Sequence, residues 1–152
     1  MTGARRKARG LALQALYEAD SVGHDAEDAV ARLLARERLS EENGAFVREL
    51  VSGVIRNKEK IDKNIHSFAP AWPVGQMPAV DRNILRIAIF EILFDSGAPI
   101  KVAINEAVEL GKRFGTDSSP RFINGVLGAV SALADEEKLL GGEAGSDSHS
   151  GK

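Results

Sequence analysis

The stretch VDRNILRIAIFEILFD (residues 80–95) constrains this chain more than any other. Ile84, Leu85, Ile87, Ile89, Phe90, Ile92, Leu93 and Phe94 leave almost no side of it polar. A strand is the competing assignment for so isoleucine-rich a run. Its length exceeds that of ordinary strands, and Arg86 and Glu91 sit poorly in a continuous one. A helix that is apolar nearly all round belongs at the centre of a domain, wrapped by other elements.

Helical periodicity supplies those elements. Residues 4–20 carry Ala8, Leu11, Ala12, Ala15, Leu16 and Ala19 at helical spacing, and residues 25–38 carry Ala26, Ala29, Val30, Leu33 and Leu34. Asp25 and Ser40 are the expected N-caps of the helices that follow them. Residues 41–57 place Phe46, Val47, Leu50, Val51, Val54 and Ile55 on one stripe, and a shorter segment, 58–68, adds Ile61, Ile65 and Phe68. PAWPVGQMP (70–78) then interrupts, because three prolines and a glycine in nine residues cannot continue a helix. After Ser96-Gly97, Pro99 fits the first turn of a helix over 99–114. Ser119-Pro120 reads as a cap with proline at the first helical position, followed by Phe122, Ile123, Val126, Leu127, Val130 and Leu133.

The expected fold class is therefore all-α, with about seven helices. A length of 152 residues and an apolar share of 43 % suffice for one helical domain over 1–140, its halves meeting near 70–78. With 5 % aromatic residues, aliphatic side chains must fill the core. GGEAGSDSHSGK (141–152) has no large apolar residue and reads as a disordered polar tail.

Charge is unevenly placed. From residue 135 on, five acids against two lysines leave a net of −3; with the chain at −2, residues 1–134 sum to +1. There is no cysteine, which excludes disulfides and thiolate metal sites. Gln14, Glu18 and Asp20 interrupt any signal-like apolar run, and no run approaches the roughly 20 apolar residues of a membrane span. A soluble, cytoplasmic protein with no membrane partner is expected.

Enzymatic chemistry has no visible constellation. His24, His66 and His149 lie in separate segments without ligand spacing, and no phosphate-cradling or nucleophile motif occurs. No metal or cofactor is expected.

Three features suggest binding instead. Arg5, Arg6, Lys7 and Arg9 crowd the start of a helix, where cations oppose the dipole. They read either as a solvated end or as a phosphate-contacting cluster, with Arg5 and Arg9 one turn apart. Tyr17, two turns after Arg9 on the same helix, is either half-buried core or a platform for an unpaired base. In TDSSPRFINGVLG (116–128), Arg121 and Phe122 occupy the first turn of the last helix, where backbone N–H groups favour anions. Asn124 reads as a buried hydrogen-bonding residue, and Gly125 and Gly128 as points of close approach by another backbone.

Three blocks carry a family resemblance: RRKARGLALQALYEAD, VDRNILRIAIFEIL and PIKVAINEAVELGKRFGTDSSPRFINGVLGAV, spread over residues 5–130. The chain resembles the bacterial NusB transcription antitermination factors, most specifically in INEAVEL followed by FINGVL. The resemblance implies a non-enzymatic all-α protein, an N-terminal three-helix unit packed on a C-terminal helical bundle. It implies pairing with NusE, a small-subunit ribosomal protein, and binding of single-stranded boxA RNA of ribosomal RNA operons. The pair would act on the transcription elongation complex, in terminator read-through, and in small-subunit assembly. By that similarity Arg5, Arg6, Lys7, Arg9, Tyr17, Arg121 and Phe122 contribute to the RNA surface, and Asp81 lies near the protein partner. Ser118, Ser119 and Pro120 depart from relatives with more acid in that loop. Some ribosomal RNA cytosine methyltransferases begin with a similar module but continue into a large cofactor-binding domain, which the short polar end here does not suggest. The alternative to RNA binding is a helical interaction module or homodimer.

Overall fold

The computed structural model describes residues 3–95 and 98–145, and side chains as far as residue 133. Six α-helices are present among them: α1 (Gly3–Ser21), α2 (Ala26–Arg36), α3 (Glu41–Phe68), α4 (Ala79–Ile89), α5 (Ile100–Phe114) and α6 (Ser119–Gly145). A 3₁₀ turn, Val74–Gln76, precedes α4, and a π-helical turn, Phe90–Phe94, extends it. No strand occurs among the described residues.

The two expected helical segments 41–57 and 58–68 form one continuous helix, α3, of 28 residues. Nothing in RNKEKI breaks a helix, and Ile61 and Ile65 prolong its buried stripe. Caps fall where the sequence places them. The Asp25 carboxylate accepts the Asp28 N–H, and the Ser40 hydroxyl accepts the Asn43 N–H. Ser119 behaves differently from a cap. Its hydroxyl accepts the Thr116 N–H behind it and donates to Asp81 Oδ1 at 2.7 Å. The α6 backbone runs on to Gly145, into the stretch expected to be a tail; residues 146–152 lie outside the described ones.

Helices α1 to α3 pack on one another, and α4 touches α1, α3, α5 and α6. The apolar run thus occupies the centre, with Ile84, Leu85 and Ile89 fully buried. The centre is not only apolar. Asp81, Asn83, Arg86 and Glu91 of the same run are buried with it, each given a partner from another element. Gly53 lets α3 approach closely, since a Cβ there would lie 2.2 Å from Phe90 Cζ.

One polar network fixes the linker between the two halves. Arg82 forks onto Asp20 at the end of α1 (2.7 and 3.0 Å), and its Nη1 donates to the Gly75 and Met77 carbonyls (3.0 and 3.1 Å). Asn83 and Arg86 also donate to Asp20, and Arg86 forks onto Asp62. Burial pushes the Asp20 carboxyl up, but hydrogen bonds from Arg82 and Asn83 and the charges of Arg82 and Arg86 outweigh it, leaving a value of about 2. A depressed carboxyl stabilises the fold above its unfolded value, 3.8, and that stability is lost as pH falls through about 2. Urea unfolding between pH 4 and pH 2 should therefore show a loss of about 2 kcal/mol that Asp20→Asn removes. An unchanged pH dependence in Asp20→Asn would contradict this assignment.

Candidate nucleic-acid interface

The cations of α1 are each answered by an acid from a different element. Arg5 lies 3.5 Å from Glu42 in the first turn of α3. Arg6 forks onto Glu106 of α5, with both bonds at 3.0 Å. Lys7 meets Glu37, just beyond α2, at 2.9 Å, which holds the Glu37 carboxyl below its ordinary value. Arg9 forks onto Glu91 of the π turn at 2.7 and 3.0 Å. The first turn of α1 holds no acid of its own, so these cross-helix pairs offset the unfavourable dipole.

The cluster divides by exposure. Arg6 and Lys7 keep 43 % and 51 % of their side chains exposed. Arg5 is partly buried, its guanidinium 4.1 Å from the centre of the Phe46 ring. Arg9 is 2 % exposed and sits inside the protein, 5.2 Å from the same ring. Arg5 and Arg9 therefore share a face, as their spacing implies, but along it Arg5 stays partly exposed while Arg9 is buried.

Tyr17 stands on the outside, 42 % exposed. It does not follow Arg9 around the helix. Three turns separate it from Arg6, so Arg6 and Tyr17 lie on one side of α1, with the buried Gly10 and Leu13 between them. With Leu13, Val22, Val80 and Phe114, Tyr17 lines a groove of about 380 Å³ between α1 and the end of α5. Arg113 joins this side. Its guanidinium covers the Phe114 ring at 4.9 Å, and its Nη1 is 4.0 Å from where a Gly10 Cβ would stand. Arg113 is not among the residues expected at the RNA surface, although an Arg-Phe pair just before a helix-ending glycine is a visible signal.

Arg121 is exposed on the first turn of α6, and Phe122 beside it is half-buried. The Phe122 ring packs on Trp72 from the linker, with centroids 4.9 Å apart. Asp81 lies beneath this turn, 4 % exposed, and holds the fully buried Ser119. It is placed as an internal anchor of this turn. Two expectations for α6 are corrected. Asn124 is exposed because it falls opposite the stripe Ile123, Val126, Leu127, Val130. An added Cβ at Gly125 or Gly128 would meet none of the described residues within 4 Å.

Among the described residues, no three His, Asp or Glu side chains gather as a metal would require, and no helix is long and apolar enough to cross a membrane.

The NusB family model matches residues 6–132. The transcription antitermination protein NusB of Dehalococcoides mccartyi is 57 % identical over 139 residues, covering 91 % of this chain and 97 % of the relative. The solved structure of T. maritima NusB superposes with a TM-score of 0.80 at 32 % identity, over 87 % of this chain and 93 % of that one. A crystal structure of antitermination factors NusB and NusE with double-stranded RNA contains a chain of the same fold, with a TM-score of 0.79 at 24 % identity, over 88 % of this chain and 99 % of that one. A family match over nearly all the described helices, with a relative this similar along its whole length, establishes that the chain belongs to the NusB family.

Proposed function

We propose that this protein is a transcription antitermination factor that binds single-stranded boxA RNA together with a NusE-like ribosomal protein, as a binding factor in the transcription elongation complex rather than an enzyme. The observation that carries the reading is the 57 % identity to an antitermination protein along nearly its whole length. The exposed cations and aromatic groups on α1 and at the start of α6 support an RNA surface. In this reading Arg5, Arg6, Lys7 and Arg121 meet phosphates, and Tyr17 and Phe122 meet bases. Arg9 and Asp81 act from inside: Arg9 braces α1 against the π turn, and Asp81 fixes the turn that carries Arg121.

The test is binding to a short boxA-like RNA, with and without the NusE-like protein, across a range of salt. The partner should tighten binding, and log K should fall linearly with log salt. Replacing Arg5, Arg6 and Lys7 by alanine should flatten that slope by about 0.7 for each phosphate that is no longer neutralised. Salt-insensitive binding, or no gain from the partner, would sink the proposal.

An apolar groove of about 630 Å³ between α2 and α3, lined by Val30, Leu34, Ala45 and Val51, favours a second reading as a helical interaction module or homodimer. Sedimentation distinguishes the two: stable self-association that RNA does not disturb would support the second.

A further inference from the structure

The chain has a single tryptophan, Trp72, in the segment that interrupts its helices. It stands in the linker between Pro70 and Pro73 and is 38 % exposed. Indole rings contribute most when buried, so a tryptophan held this far out needs a reason.

The linker does not leave it loose. Trp72 N–H donates to the Ala69 carbonyl at 3.1 Å, and Gln76 N–H donates to that of Pro73 at 2.9 Å. Pro70 and Pro73 restrict the backbone on either side. Arg82, itself forked onto Asp20, binds the carbonyls of Gly75 and Met77. The indole therefore rests in a fixed place against Phe122, with ring planes inclined by 56°. The two rings are in contact but not stacked on one another. Arg121, the residue before Phe122, is exposed.

We propose that Trp72 and Phe122 together form an aromatic platform for an unpaired base of the bound RNA, with Arg121 meeting the adjoining phosphate. This rests on the RNA-binding reading above and adds a residue and a ligand class to it. A fixed aromatic surface beside an exposed cation matches the chemistry of a single strand, which offers a flat base and a charge in each unit. The polar base edge stays in solvent, so a half-exposed ring suffices. A base-paired duplex offers no free base face and would gain nothing from Trp72.

The experiment uses the full chain with the NusE-like partner and a fluorescently labelled boxA-like single strand. RNA anisotropy reports binding, and Trp72 emission, with Trp72→Phe as the background, reports stacking. Emission should change in parallel with anisotropy. Trp72→Ala should weaken binding by about 5-fold or more while leaving the salt slope unchanged, as befits a stacking contact. Arg121→Ala should instead lower the slope by about 0.7. RNA binding with Trp72 emission unmoved overturns the proposal while leaving the antitermination reading intact. Emission that responds to the partner protein alone also overturns it, placing a protein side chain on the platform. Absence of any RNA binding overturns both readings. If Trp72→Ala fails to fold, the emission of the unaltered chain still decides.

Discussion

Arg9→Ala is expected to lower the unfolding free energy by about 3–5 kcal/mol, well beyond what an exposed cation contributes. The Arg9 and Glu91 side chains are 3 % and 2 % exposed and are joined by two short hydrogen bonds. Removing Arg9 leaves a buried carboxylate with its main counter-charge gone, and that uncompensated charge dominates the loss. Replacing both partners by methionine removes the charge together with its counter-charge. Most of the stability should then return, because packed apolar groups replace a buried pair at little cost. Urea unfolding of the single and double variants checks this. The double variant also separates folding from binding. It should retain the salt slope of RNA binding, whereas Arg6→Ala should lower it by about 0.7. An Arg9→Ala protein of nearly native stability with a reduced slope would place Arg9 on the RNA instead.

Gly53→Ala is expected to destabilise the protein by about 2 kcal/mol, although alanine is the better helix former by about 1 kcal/mol. The sign is decided by Phe90. A methyl group at Gly53 would lie 2.2 Å from Phe90 Cζ and 2.3 Å from Cε1. The ring has nowhere easy to go: it is 2 % exposed and runs parallel to Phe94 with centroids 6.4 Å apart. Either α3 moves away from the centre or Phe90 leaves its rotamer, and overpacking of this kind costs about 1–3 kcal/mol or more. Phe90→Leu in the Gly53→Ala background should recover part of the loss, which a purely conformational effect at Gly53 would not allow. Thermal unfolding of the three proteins is the measurement. A midpoint for Gly53→Ala at or above that of the parent would refute the close approach.

Much of the architecture is legible in the sequence because it rests on local chemistry. Asp25 and Ser40 cap helices since their short side chains reach N–H groups three residues on. Residues 83–91 of the 80–95 run lie at the centre because nearly every face of them is apolar, while Leu93 and Phe94 at its end are each 38 % exposed. The break expected near residue 57 is absent from α3, for no residue there opposes helix. Legibility fails where one residue's surroundings depend on a distant one. Asn124 looks buried from its apolar neighbours, yet the α6 stripe turns it outward. Gly125 and Gly128 look like contact points, but none of the described residues packs on that side. Tyr17 is ambiguous as a lone aromatic, and its exposure follows from what α4 and α5 leave uncovered.

The basic start of α1 shows the division most clearly. Local pattern alone makes this segment helical and buries its apolar side from Leu11 to Leu16. Periodicity is enough for this, because burial of a helix face depends on spacing along the chain. Which cation faces solvent is settled only by the packing of distant helices. Arg9 meets Glu91 across 82 residues of sequence, and Arg6 meets Glu106 across 100. One carboxylate draws its arginine into the interior, and the other holds its arginine at the surface. No local pattern distinguishes them, because the difference lies in how much of each pair the neighbouring helices cover.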